Sequence, residues 1–427
     1  VTELTADAIP VTTLSAARPA LIRAINEQLL LEHIRAAGPY SRAELARVSG
    51  LSKPTVSLAL ANLERGGLVR LAGQRTGVPG RSALLYEVRP DAGFVLGLDI
   101  GLRYLRGAVA DLAGAVRVRL SREVGATSVR GRVGELVQLA DDLCTRAGIS
   151  RAAVTQTVVG SPGVYDPQRN LMALTGGLPG WDRPEALVGL RAAFGPALAI
   201  ENDVDAAALA ERAHGHGRDV DSFAFVHIGT GIGMGLVIGG RLHRGVHGVA
   251  GEIAFMPLGG EGIPGIGAWP ATAGDHDAGP RGDSGFDPGV DPEEARRRGA
   301  LETAAAADGI VRAARRAGMR GPVSARSVFE AAAGGDPRAT AVVAAEARLV
   351  ASAICCVITV IDPALIVLGG GIGQAPGFAD AVTTALAAMA PVMPEVKVSA
   401  LGTDVVVDGC LAQGASLAWT QLAAALP

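Results

Sequence analysis

Apolar residues recur at helical spacing over the first ninety positions and in short, strand-length runs over much of the rest, which divides the chain before any motif is read. Residues 1 to 17 show no apolar period and read as a flexible tail. Ile25, Leu29, Leu30 and Ile34 then mark one helix, which Gly38 ends. Ser41 is placed to cap a second helix with Glu44 three residues on, and Leu45 and Val48 form its apolar face. Gly50 makes the turn. Ser52 caps a third helix that tolerates Pro54 in its first turn and turns Val56, Leu60 and Leu63 inward. Lys53, Thr55, Ser57, Leu58 and Asn62 fall on its sides and opposite face. This is helix-turn-helix spacing.

After Gly66 and Gly67, the runs 68–72 and 82–88 predict two strands joined by a glycine-rich tip, a wing carrying Arg75 and Arg81. A recognition helix sets its N-terminal side chains against base edges. Ser52, Lys53, Thr55 and Ser57 are therefore candidate DNA contacts, with Arg75 and Arg81 reaching phosphates or a minor groove. Residues 18–89 form the predicted winged helix-turn-helix, and Arg89 to Ala92 a linker. From 93 to 427 the pattern becomes α/β. Strands are predicted at FVLGLDIG, 104–111 and 115–120, a helix near 131–147 and a strand through 154–159. The theme returns at 223–227 and 234–238, so the turns Asp99 to Gly101 and Gly229 to Gly231 look equivalent in two similar lobes.

Two stretches carry candidate chemistry. In Ile228 to Phe255, IGTGIGMGLVIGGRLHRGVHGVAGEIAF, seven of the nine glycines, at 229, 231, 233, 235, 245, 248 and 251, lead to Glu252. Glycines this dense uncover backbone N–H groups and allow positive φ, as a loop around an anion requires. In AIENDVDAAALAE, Glu201, Asn202 and Asp203 crowd the carboxyl end of a strand, the usual ligand position in open α/β sheets. An amide and a carboxylate there can hold adjacent sugar hydroxyls. Capping by Asp203 or Asp205 is the plainer alternative.

Charge sharpens the division. Residues 18–89 hold eleven Lys or Arg against five Asp or Glu, in a chain whose net charge is −3, so a basic module sits on an acidic body. DNA is the usual reason for such an imbalance. The length of 427 residues allows two or three domains, and 49% apolar residues provide a large core. No long uncharged apolar run appears and the start lacks a basic region followed by an apolar one, which places the chain in the cytoplasm, away from membranes. Cys144, Cys355, Cys356 and Cys410 are too scattered for a disulfide framework or a zinc cluster. His276 between two aspartates reads as part of a solvated loop, and no metal site is expected.

These motifs resemble the ROK family, named for its repressors, open reading frames and kinases. The resemblance rests on 228–255, on GLDIG at 97–101, GSPG at 160–163, LPGW at 178–181, ENDVDAAALAE, and IDPALIVLGGG at 361–371. It implies a two-lobed actin-like ATPase body of the sugar-kinase, ribonuclease H-like type behind an N-terminal winged helix-turn-helix. It implies sugar binding by Asn202, Asp203, Glu252 and Glu302, Asp203 being the general base in kinases. It also implies phosphate loops at Asp99 and Gly101 and at Gly229, Thr230 and Gly231, with Gly369 to Gly371 near the nucleotide base.

The departures from the family pattern are as informative. Family kinases read DIGGT where this chain has DIGLR, so Leu102 and Arg103 replace the second glycine and the threonine near the phosphates. Phosphoryl transfer depends on positioning and charge stabilisation, so ATP chemistry is expected to be lost and the phosphate loops vestigial. The histidine of the family's GEIGH motif is Phe255 here, and no cysteine follows it nearby, so the family's structural zinc is expected to be absent. Residues 259–295 read instead as a mobile insertion. The resemblance thus implies a DNA-binding transcriptional regulator, a repressor of carbohydrate genes, responding to a sugar and binding operator DNA as a homodimer or homotetramer. A sugar kinase with an appended DNA module and a ligand-independent DNA-binding protein are the alternatives.

Overall fold

The computed structural model describes residues 19–75, 83–166, 169–175, 178–258 and 296–425. The chain forms two compact units. The first holds α1 (Pro19–Ala37), β1 (Tyr40–Ser41), α2 (Arg42–Ser49), α3 (Lys53–Arg65), β2 (Val69–Arg75) and β3 (Ala83–Val88). Its sheet runs β1-β3-β2, all antiparallel, and β2–β3 is the wing. Ser41 and Glu44 form the capping box, Gly50 takes the left-handed turn at φ 70°, and Ser52 caps α3. Val56, Leu60 and Leu63 are fully buried, as their spacing predicts.

Three positions of the module depart from the pattern. Ile25 is 54% exposed and Val48 39% exposed. The buried stripe of α1 is Glu27, Leu30, Leu31 and Ile34, rotated from the predicted one because an acid occupies an inner position. Glu27 is tolerated there because Asn62 Nδ2 donates to its Oε1 at 2.6 Å. Asn62 is therefore buried against α1, with Arg65 Nη1 donating to its Oδ1 at 3.2 Å, and does not belong to the exposed face of α3. The same unit also takes Asp111–Ala115 and the chain from Ser416 on. Within it Trp419 Nε1 donates to the Leu112 carbonyl at 2.9 Å, and the Arg35 guanidinium lies 5.6 Å from the Trp419 ring.

The second unit begins with β4 (Phe94–Ile100), β5 (Tyr104–Asp111), β6 (Val116–Glu123), α4 (Val129–Arg146), β7 (Val154–Ser161), β8 (Val164–Asp166), β9 (Leu171–Ala173), α5 (Pro184–Phe194) and β10 (Leu198–Asn202). It continues with α6 (Asp203–His214), β11 (Phe223–Ile228), β12 (Ile232–Ile238), β13 (Arg241–Leu242), α7 (Ala300–Ala305), α8 (Ala307–Arg316), α9 (Ala325–Ala333) and α10 (Pro337–Ile361). Then come β14 (Leu365–Gly369), α11 (Gly370–Gly373), α12 (Phe378–Ala387), β15 (Glu395–Val398) and α13 (Val405–Ala424), of which the residues before Ser416 belong to this unit. Two five-stranded sheets result, ordered β10-β7-β4-β5-β6 and β13-β12-β11-β14-β15. Reversing one order superposes the roles strand for strand: an antiparallel meander followed by two parallel strands added at its first edge. The two lobes are therefore one design used twice, and the turns after β4 and β11 are equivalent.

Each sheet is covered by helices that supply its core. Leu136, Leu139 and Leu143 of α4 pack with Leu96, Leu98 and Trp181 in the first lobe. In the second, α10 contributes Val350, Ile354 and Val357 beneath Ile366 and Leu368 of β14. Helix α10 is long and apolar enough to cross a membrane by composition, yet half of its most apolar window is buried inside the fold, as for a core helix.

Candidate functional site

The DNA-facing candidates lie at the start of α3 and on the wing. Ser52 Oγ accepts from the Thr55 amide at 3.3 Å and lies 2.8 Å from Thr55 Oγ1, so both hydroxyls shape the helix entry. Lys53 and Ser57 are exposed beside them, and Leu58 is 59% exposed on the same face. Arg75 reaches back to α2, where its Nη1 meets Glu44 Oε1 at 2.6 Å. Hydrogen bonds from the Ser41 amide and hydroxyl, and then Arg75, hold the Glu44 carboxyl down at about 2. Arg75 is thus a tie between wing and helix in the free protein. Arg81 lies outside the described residues, as do residues 1–18 and 259–295 with His276.

The second candidate site gathers where β10 passes into α6. Asn202 is the cap: its Oδ1 accepts from the Val204 and Asp205 amides at 2.8 and 3.0 Å, while its Nδ2 donates to the Gly163 carbonyl at 3.1 Å. Neither Asp203 nor Asp205 fills that role. Burial pushes the Asp203 carboxyl up, opposed by His227 of β11; burial pushes His227 down, opposed by Asp203. Glu252 is raised to about 7 by burial and by the charges of Asp203 and Glu302. Asp99 is raised to about 7 by burial and by Asp203, although Arg106 Nη1 lies 3.2 Å from it. The structure thus brings Asp99, Asp203, Glu252 and Glu302 into one electrostatic neighbourhood. Such crowding is the signature of a ligand or reaction site.

Further polar residues complete the cluster. Buried Glu201 accepts from Arg244 Nε at 3.2 Å, from Arg244 Nη2, and from Gln413 Nε2 at 2.7 Å. Asp205 is 4% exposed, its Oδ1 has no hydrogen-bond partner among the described residues, and its carboxyl is raised to about 8 by burial and then by Glu201, opposed by Arg244. His227 is the one polar residue in the strand FAFVHI, a signal the motif reading passed over.

The glycines divide by purpose. Gly245, Gly248 and Gly251 take φ 72°, 78° and 92°, whereas Gly229, Gly231, Gly233 and Gly235 do not have positive φ. A Cβ on Gly235 would lie 2.6 Å from Ala208 Cβ, and one on Gly233 would lie 3.1 Å from Val204, so these two let α6 lie on β12. Dense glycine here serves packing as much as anion binding. Two amides at this loop are also engaged: the Gly229 amide donates to the Gly231 carbonyl at 2.9 Å, and the Ile232 amide to Glu302 Oε2 at 3.1 Å. In the equivalent turn, the Gly101 amide donates to Tyr104, and Arg132 Nη1 donates to the Gly101 carbonyl at 2.9 Å. Leu102 projects from that turn, 51% exposed.

The geometry can now be set beside known proteins. A profile of the ROK family matches residues 95–421, most of the chain, and one of winged helix-turn-helix DNA-binding domains matches 24–70. The chain belongs to the ROK family. The xylose repressor of Bacillus subtilis (strain 168) is 27% identical over 237 residues, which are 56% of this ROK chain and 61% of the repressor. The bifunctional enzyme NanE/NanK of Brucella suis biovar 1 is 35% identical over 256 residues, 57% of this chain and 42% of the enzyme. The alignments thus span about three fifths or less of these relatives.

Among solved structures, a ROK family transcriptional regulator described as a homolog of the Escherichia coli MLC protein covers 94% of this chain and 98% of its own, with TM-score 0.72 and 22% identity. A ROK hexokinase from Thermus thermophilus covers 75% and 97%, with TM-score 0.59 and 28% identity. The regulator shares the fold across both units of this ROK protein. At the position of the family's zinc histidine this chain has Phe255, 41% exposed, whose phenyl ring cannot ligate a metal.

Proposed function

We propose that this ROK protein is a DNA-binding transcriptional regulator, a repressor of carbohydrate uptake or metabolism genes, whose operator affinity responds to a sugar. The effector sits against Asp203 and Glu252, flanked by Asn202 and Glu302, and operator DNA meets Lys53, Thr55 and Ser57 with the wing. One observation carries the reading: a capped helix-turn-helix shares its chain with a cluster of crowded carboxylates beside a glycine loop whose Gly229 and Ile232 amides are already bonded internally. A ligand shifts DNA binding only by preferring one arrangement of the protein over another. The protein acts in the cytoplasm, as a homodimer or homotetramer on paired half-sites. Xylose is the first effector to try, since several relatives are named for it.

The test is to exchange Asp203 for Ala and to follow operator binding with and without sugar. The response should vanish while operator affinity is retained. An unchanged response would refute the site.

A sugar kinase is the second reading, favoured by Asp203 at the carboxyl end of β10 and by the 35% identity to NanE/NanK. It competes poorly with Leu102 and Arg103 in the first phosphate loop. ATP turnover with a hexose, lost in Asp203→Asn, would establish it.

A further inference from the structure

Beside the glycine loop after β11 lies a group to which no role attaches by motif. Arg298 is largely buried, as is Glu302, each side chain 16% exposed. Its Nε meets Glu302 Oε1 at 2.9 Å, its Nη1 meets Asp308 Oδ2 at 3.3 Å, and its Nη2 donates to the Thr230 carbonyl at 3.3 Å. The other oxygen of Glu302, Oε2, accepts from the Ile232 amide at 3.1 Å. The Ala307 amide donates to the Gly229 carbonyl at 2.9 Å. Residues 298–308 therefore hold the loop at Gly229, Thr230 and Ile232 together. A Cβ on Gly231 would lie 2.8 Å from Glu302 Oε2, which shows how closely the carboxylate lies on the loop.

This arrangement changes what Glu302 can do. Both of its oxygens are engaged, one by a guanidinium and one by a main-chain amide, and charge-assisted bonds of this kind are the stronger class. A planar guanidinium with five donors in a fixed fork is well suited to serve two carboxylates and a carbonyl at once. Among the described residues no guanidinium holds Asp203 or Glu252: the first accepts at Oδ1 from the Val204 amide at 2.9 Å and faces His227 electrostatically, and the second is crowded by other carboxylates.

We infer that Arg298 is a positioning residue for effector recognition: it holds Glu302 on the Thr230–Ile232 loop, so that the sugar is read through Asp203 and Glu252 while Glu302 is kept back. The inference rests on the sugar-site reading above and adds the residue that sets its selectivity. It makes Glu302 a structural acceptor in this chain, and Arg298 the side chain whose loss would return Glu302 to the ligand.

Two measurements on the full-length chain test it. The first is sugar affinity by calorimetry, with xylose and glucose as probes, in wild type, Glu302→Ala, Arg298→Ala and the double variant. Glu302→Ala should change affinity less than threefold when Arg298 is present and tenfold or more when it is absent. A tenfold loss from Glu302→Ala alone would overturn the inference, because Glu302 would then touch the sugar directly. The second needs no ligand and separates failure of the clamp from failure of the sugar reading. Hydrogen exchange at the Ile232 amide should accelerate at least tenfold in Glu302→Ala and in Arg298→Ala, and less in Arg298→Lys. Unchanged exchange in all three would refute the clamp itself, whereas absent sugar binding with accelerated exchange would refute only the effector. Should Glu302→Ala fail to fold, Glu302→Gln takes its place in both measurements.

Discussion

Asp205→Asn should stabilise the protein at alkaline pH and leave it no more stable in acid. The carboxyl is 4% exposed, one of its oxygens has no hydrogen-bond partner among the described residues, and burial together with Glu201 raises it from about 3.8 to about 8. It sits in the first turn of α6, where the helix dipole favours a charged carboxylate, yet burial and the neighbouring acids prevail. Because the folded value exceeds the unfolded one, the native state binds the extra proton, and stability falls as pH rises from about 4 to about 8. At ~1.4 kcal/mol per unit the full shift corresponds to roughly 6 kcal/mol above pH 8, an upper bound. A buried amide in its place costs about 1–3 kcal/mol unless it finds partners. The net gain is therefore at most about 3–5 kcal/mol near pH 9, falling to zero or below near pH 4. Urea unfolding followed by fluorescence reads it, since Trp181 is buried in this body with its Nε1 bonded to Ser161 Oγ. A variant destabilised equally at every pH would refute the reasoning. Stability given up in the cleft fits a ligand site better than a packing site.

Asn62→Ala leaves Glu27 buried without its 2.6 Å donor and should cost about 2–3 kcal/mol in denaturant unfolding of the first unit; a loss under 0.5 kcal/mol would show that Glu27 finds another partner. Gly251→Ala places a Cβ 1.9 Å from the Met234 carbonyl at φ 92°, so the variant should be insoluble or unfold at least 10 °C below wild type, as a thermal melt would show. Lys53→Ala should weaken operator binding at least several-fold in a titration at fixed salt; unchanged affinity and an unchanged salt slope would remove Lys53 from the DNA contacts.

Local chemistry was the legible part of this chain. The cap residues Ser41, Glu44 and Ser52 fall three residues from their partners, and the buried positions of α3 repeat at helical spacing, so both can be read along the sequence. The duplicated lobes were legible because the same strand and glycine pattern occurs twice. The pairs that shape the cleft are different. Glu201 meets Arg244 and Gln413 from far along the chain, and Glu302 meets Ile232 across 70 residues. No local period announces such contacts. Within α1 the obstacle was a buried acid, since Glu27 occupies a position the apolar pattern assigns elsewhere. Glycine at 233 and 235 misled in another way: close helix packing and an anion cradle ask for the same residue.

The most direct measurement is a titration of the protein onto a labelled duplex from upstream of its own gene at fixed salt, alone and with xylose, glucose and other pentoses and hexoses. Specific binding whose midpoint shifts at least tenfold with one of these sugars, a coupling of about 1.4 kcal/mol, is the predicted result. Specific binding that no sugar moves would contradict the account.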